Sequence, residues 1–352
     1  MSCHGVRTGD LATAGVPDTT IGASSFRLLN DYQREFPLVS RPFARIGAEC
    51  GLGEEKTLDA LRAWQASGVV SRVGAVFAPR RIGASALAAL AAPVERLDEI
   101  AARVSAIAEV NHNYQREHAY NLWFVITAAS SARLEEIVAR IDSETGCPVI
   151  VLPLEEEFHI DLGFDLRGSN GRAVDRVAGS PPVPVPEAAC ALPGLEQSLM
   201  RALQEGLPLE PRPFDALGRK AGISEAMTLE LIERWLHEGM VKRFGIVVRH
   251  HELGFRANAM CVWDVPDEAV SGIGRLVAAE SAVTLCYRRR RALPAWRYNL
   301  FCMIHGRSRE AVRAARDDIA ARLGLDRWAH EVLFSCRRFK QTGACYLPDT
   351  GK

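Results

Sequence analysis

The chain repeats itself, and that limits its fold more than any single motif. Residues 36–43, FPLVSRPF, return at 207–214 as LPLEPRPF, 171 positions later. The same offset relates Trp64 to Trp235, Gly68 to Gly239, Arg72 to Arg243 and Gly74 to Gly245. It widens to 173 at Tyr114 and Tyr287, and to 178 at Tyr120-Asn121 and Tyr298-Asn299, a drift that small insertions explain. Two units of about 150 residues, each of ordinary domain size, therefore share one architecture. A Pro-rich stretch of limited flexibility, GSPPVPVPEAAC at 179–190, joins them.

Each unit has a helical part and a strand-rich part. In the first, RPFARIGAECGL is a short helix ended by Gly51. EEKTLDALRAWQASG follows, with Leu58, Leu61 and Trp64 at helical spacing, and then the strand-like VVSRVGAVF. Helix, Gly turn, helix and β-wing spell a winged helix-turn-helix. The remainder reads strand, helix, strand, strand, helix, strand in both units, the βαββαβ order of a ferredoxin-like sheet, with helices on one face and the other face open. The expected class is α+β, a tandem repeat of winged helix-turn-helix plus ferredoxin-like units. The expected divisions are a disordered N-terminus (1–22), winged helix-turn-helix 1 (23–82), ferredoxin-like domain 1 (83–168), a linker (169–193), winged helix-turn-helix 2 (194–253) and ferredoxin-like domain 2 (254–348).

Charge argues against the obvious use of such a module. The 352 residues carry 43 basic and 43 acidic side chains, no excess with which to coat nucleic acid. The second helix of the first unit sets Glu54, Glu55 and Asp59 against Lys56 and Arg62. Its counterpart sets Glu225, Glu230, Glu233 and Glu238 against Arg234. Acidic helices are repelled from a major groove, so DNA is not the expected partner. No apolar run approaches the ~18 residues of a membrane span, and no secretory signal opens the chain. The nine cysteines are odd in number and contain no C-x-x-C. Reduced thiols in the cytoplasm are expected, with no metal cage.

One strand carries the chemistry. In Asn111-His112-Asn113-Tyr114-Gln115-Arg116-Glu117-His118 alternation puts His112, Tyr114, Arg116 and His118 on one face. The matching face of the second unit reads Leu285, Tyr287, Arg289, Arg291, and the opposite face Cys286, Arg288, Arg290. A row of guanidinium and imidazole on an open sheet suits a ligand with several carboxylates. The plainer alternatives are an inter-unit salt bridge for Arg116 or Arg289, a solvated hairpin end for 288–291, and hydrogen-bonded strand histidines. Tyr114 and Tyr287 either stack on a flat ligand or fill the sheet interface. His250-His251, His305 and His330 show no partner spacing and read as structural.

At this strand the sequence resembles a known family. VNHNYQREHAYNLWFV and LCYRRRRALPAWRYNLFCMIHG are similar to the siroheme decarboxylases of the Lrp/AsnC structural superfamily, over about residues 25–165 and 195–348. The first unit, ending EEFHIDLGF, resembles the D-type subunit, and the second, ending RRFKQTGACY, the L-type. The resemblance implies loss of carbon dioxide from the C12 and C18 acetates of siroheme in heme d1 biosynthesis. It implies no cofactor beyond the substrate's iron, and an internal pseudo-dimer with the pocket between its sheets. Further homologous subunits or a homo-oligomer are the partners it suggests. An alternative is an Lrp/AsnC-like regulator or a tetrapyrrole-binding protein. On this reading His112 or His118 delivers the proton or ligates the iron, with Arg116 beside them. Arg288, Arg289 and Arg291 bind carboxylates, and Tyr114, Tyr287, Trp123 and Trp296 wall the site. Arg72 and Arg243 hold propionates or staple the wing, and Lys340, aligned with His159, reaches the pocket mouth.

Overall fold

The computed structural model describes residues 23–78, 82–160, 194–248 and 257–347. The expected disordered N-terminus (1–22) and the whole of the expected linker (169–193) lie outside them. The first unit runs α1 (Ala23–Asp31), α2 (Pro42–Cys50), α3 (Glu54–Ala66), β1 (Val70–Phe77), β2 (Ala84–Leu90), α4 (Leu97–Ala106), β3 (Val110–Arg116), β4 (Leu122–Ala128), α5 (Ser131–Thr145) and β5 (Ile150–Ile160). The second runs α6 (Gly194–Glu205), α7 (Pro213–Ala221), α8 (Glu225–His237), β6 (Val241–Val248), β7 (Ala257–Trp263), α9 (Val270–Ala278), β8 (Val283–Arg289), β9 (Leu300–Gly306), α10 (Arg309–Leu323) and β10 (His330–Gln341). Repeated end signals set the helix limits. Pro42 and Pro213 open α2 and α7, and Gly51 and Gly222, at φ 70° and 76°, close them. Ser130 and Ser308 accept the N3 amides of α5 and α10.

Each wing supplies one strand, and the two strands pair with each other. β1 and β6 form an antiparallel ribbon with Gly74 opposite Gly245. Gly245 admits no side chain, because a Cβ there would lie 2.4 Å from the Gln33 carbonyl oxygen. The two helix-turn-helix modules therefore share one apolar core. In it Phe36 packs 5.8 Å from Phe43 and 5.6 Å from Phe244, and Phe214 lies 5.9 Å from Phe244.

The ferredoxin-like halves also merge. The open faces of the two sheets turn toward each other as the eight strands close into one antiparallel barrel in the order β10-β3-β4-β2-β5-β8-β9-β7. The long last strands cause this: β5 leaves its own sheet to pair with β8, and β10 pairs with both β7 and β3. β3 and β8 run in the same direction, so the pseudo-twofold lies along the barrel axis and equivalent residues come to the same end. Helices cover the outside, α4 and α5 over one half and α9 and α10 over the other. The repeated Tyr-Asn pair is explained here. The Asn121 amide bonds both backbone groups of Ala92 (2.8 and 2.9 Å), and that of Asn299 bonds both of Val265 (2.9 and 3.0 Å).

The last residues depart from the expected division. Residues 342–347, assigned to the second ferredoxin-like domain, cross to the wing modules, where Tyr346 is fully buried and Gln204 accepts its backbone amide at 2.6 Å.

Candidate active site

The barrel interior is packed at one end and water-accessible toward the other. Trp123 and Trp296, ring centroids 4.9 Å apart, form a plug with Leu152, Leu333, Val262 and Phe301. Toward the other end the inward residues are half-exposed while their helix-facing neighbours stay buried, as at Ser85 and Leu87 on β2, Val125 on β4, Asn258 on β7, and Met303 and His305 on β9. This opening faces the wing ribbon and the 342–347 crossing.

Arg116 and Arg289 sit above the plug at equivalent places. Arg116 donates Nη1–H to the Leu333 carbonyl at 3.0 Å and Arg289 to the Leu152 carbonyl at 3.0 Å. Each guanidinium lies over the tyrosine two residues earlier, Tyr114 at 5.9 Å and Tyr287 at 5.1 Å. Among the described residues neither has a carboxylate partner, and the Nε of each is buried without an acceptor. Burial holds both at about 10, well below the usual guanidinium value. It also raises the Tyr287 phenol. Uncompensated buried cations are costly, and where they persist they mark a place for an anion.

His112 lies toward the open end on the same strand, its ring 6.3 Å from that of Tyr114. Asn111 Oδ1 meets its Nδ1 at 3.1 Å. Burial first, then the nearby Arg72 guanidinium, push its pKa down to about 4, so the resting ring is neutral. Arg72 reaches over from β1, donates to the Ala75 carbonyl at 2.9 Å, and has no carboxylate partner among the described residues.

Other expected residues lie elsewhere. His118 does not join His112. β3 ends at Arg116, and His118 sits beyond the tryptophan plug, its Nε2 2.8 Å from Glu331 and its Nδ1 accepting the Tyr120 amide at 2.9 Å. Arg288 pairs with Glu155 (3.0 Å) and Asp267 (3.1 Å), outside the barrel. Arg291 falls past the end of β8 and is matched by Asp264 and Asp267, both at 2.8 Å. Lys340 points to the helix side, where its ammonium donates to the Ile107 carbonyl at 2.7 Å. Arg243 is buried against the Gln33 and Ile246 carbonyls, the staple rather than the propionate role. Trp123 is part of the plug, its Nε1–H on the Tyr120 carbonyl at 2.7 Å.

One residue was missed. Cys302 and Ile304 face the helices, so His305 alternates into the barrel after Phe301 and Met303. The Thr284 hydroxyl lies 2.9 Å from its Nδ1. Its partner is on the neighbouring strand, so no local spacing shows it.

The AsnC-like ligand binding domain model matches residues 81–159 and 252–340, and the siroheme decarboxylase NirDL-like HTH domain model matches 26–70 and 196–241. The siroheme decarboxylase NirDL subunit of Paracoccus denitrificans is 42% identical over 326 residues, 92% of this chain and 98% of that one. The crystal structure of the siroheme decarboxylase NirDL superposes with a TM-score of 0.68 at 27% identity, covering 92% of this chain and 94% of that one. A second crystal structure, in co-complex with an iron-uroporphyrin III analogue, gives 0.66 over 92% and 93% at the same identity. The chain belongs to the NirDL-like siroheme decarboxylases.

Proposed function

We propose that this chain removes the C12 and C18 acetate carboxyls of siroheme as carbon dioxide, leaving methyl groups, in the route to heme d1. The observation that carries the reading is the pair of buried, carboxylate-free guanidiniums, Arg116 and Arg289, at one level of a barrel open at one end. Siroheme is a polycarboxylate, and its macrocycle offers a flat face to Tyr114 and Tyr287. Arg72 adds a third cation from the wing.

Each reaction breaks the C–C bond to the carboxylate. The electron pair stays on the methylene carbon, spread into the adjoining ring, and a proton then makes the methyl. Fixed guanidiniums stabilise the charge as it develops. The tryptophan plug keeps water from that region, where bound carboxylate is less well solvated. His112 is the acid for this step. Neutral at rest, it is loaded when substrate carboxylates offset Arg72 and favour the imidazolium. A positioned acid is worth about 10²- to 10⁴-fold in rate. The macrocycle's own iron is substrate. All eight strands of the barrel come from this one chain.

Anaerobic siroheme incubated with the purified chain should lose one and then two carbon dioxides by mass spectrometry. His112→Ala should slow that loss while tetrapyrrole still binds. Masses that never fall by carbon dioxide units refute the proposal. The regulator reading gains no unpaired cation at the starts of α3 and α8, where Arg41 and Arg212 are paired with Glu54 and Glu225.

A further inference from the structure

The two units carry the same β-bulge in their second barrel strands, and each bulge residue holds an imidazole. The register slips between Val110 and His112 in β3, and between Val283 and Leu285 in β8. The residues at the slips, Asn111 and Thr284, are repeat equivalents at the 173 offset. Asn111 Oδ1 engages His112 Nδ1 at 3.1 Å, and Thr284 Oγ1 engages His305 Nδ1 at 2.9 Å. The imidazoles themselves are not equivalents. His112 corresponds to Leu285, and His305 to Thr127. One bulge position thus orients a ring from its own strand in the first unit and from the adjacent strand in the second. Bulges that re-aim side chains are found beside active sites.

The pseudo-twofold puts the two bulges on opposite walls, and the rings they hold stand on β3 and β9, with β10 and β7 between them on the shorter way round the barrel. His112 lies across from Val125, and Leu285 lies across from Met303. His305 is two residues further along β9, nearer the mouth. We infer that His305 is a second catalytic acid, serving one acetate from the second unit's wall while His112 serves the other, so that the macrocycle need not turn over between the two losses. This rests on the decarboxylase reading above and deepens it. At each acetate the broken C–C bond leaves its electron pair on the methylene carbon. The proton on that wall's imidazolium forms the new C–H bond, and solvent at the open end returns the proton.

The test follows the two losses separately. Wild-type chain and His305→Gln are incubated with siroheme without oxygen, and the species one and two carbon dioxides lighter are counted over time. His305→Gln should complete one loss and stall, with the second slowed on the order of 10²-fold. Thr284→Val, which keeps the bulk but removes the hydroxyl, should slow the same loss by less and shift its pH profile. Binding of iron-uroporphyrin III, read by absorbance, should stay within about twofold in both variants. Histidine NMR adds a readout free of turnover: the paramagnetic iron should broaden the ring signals of His112 and His305 and spare His237 on α8. Two losses at wild-type rates in His305→Gln, equal slowing of both, or an unbroadened His305 signal would overturn the inference. A wild-type chain that releases no carbon dioxide fails the decarboxylase reading instead, and the NMR result still decides whether His305 faces the ligand.

Discussion

Replacing Arg116 by methionine should make the ligand-free protein more stable and its tetrapyrrole complex weaker. Burial lowers the Arg116 guanidinium from its ordinary value to about 10, so the fold carries a cation it disfavours by about 3 kcal/mol. Methionine keeps most of the buried stem and removes the charge. Loss of the bond to the Leu333 carbonyl, 3.0 Å long, takes back about 1–2 kcal/mol. The net gain is about 1–2 kcal/mol, a rise of a few degrees in Tm. With ligand the sign reverses. Losing one side of a desolvated carboxylate–guanidinium pair costs about 2–5 kcal/mol, roughly 30- to 5,000-fold in Kd. Calorimetry of the free chain and an absorbance titration with iron-uroporphyrin III measure the two halves. A lower Tm with unchanged affinity would make Arg116 an internal strut and refute the argument.

Three other changes test the surrounding geometry. His112 binds its proton more weakly folded, at about 4, than unfolded, near 6.5. Its contribution to stability is therefore complete above about pH 6.5 and is lost, up to about 3 kcal/mol, as pH falls toward 4; His112→Gln should flatten that window in pH-dependent urea unfolding. Gly245→Ala drives a methyl against the Gln33 and Tyr32 carbonyls at 2.4 and 2.5 Å, and should cost about 3 kcal/mol in the same measurement. Arg291→Ala should leave tetrapyrrole affinity within about twofold, because that guanidinium is already matched by Asp264 and Asp267, while lowering stability by about 1–3 kcal/mol.

The repeat made the α+β class and the unit order readable, and alternation along β3 correctly put Tyr114 and Arg116 on one face. The errors came where partners are distant in sequence. Nothing local shows that β5 and β10 extend across the units and close a barrel, in which the open sheet faces become the shared interior. Alternation was carried past the ends of β3 and β8, which misplaced His118 and Arg291. The acids that neutralise Arg288 and Arg291 are Glu155, Asp264 and Asp267, on other elements. The same blindness hid His305, whose holder Thr284 is on the next strand. The carbonyls of Leu152 and Leu333 that aim the two arginines are backbone groups, which no side-chain pattern reveals.

Why join the two units in one chain? A symmetric homodimer must put the same residue on both walls of its chamber. Siroheme is not twofold symmetric, so such a chamber would offer identical groups to non-identical substituents. A fused repeat keeps the symmetric requirements and releases the others. Arg116 and Arg289, their carbonyl anchors and the two asparagine clamps remain duplicated, since each supports a barrel wall. His112 faces Leu285 across the axis, Thr127 faces His305, and Arg72 stays at the opening while Arg243 is committed to the Gln33 carbonyl. The duplicated residues hold the barrel and anchor anions, whereas the diverged ones distinguish one wall from the other. An engineered chain carrying two copies of the first unit should therefore still close its barrel and bind tetrapyrrole, yet release the two carbon dioxides at altered relative rates. Unchanged relative rates would show that the divergence has no part in the order of the chemistry.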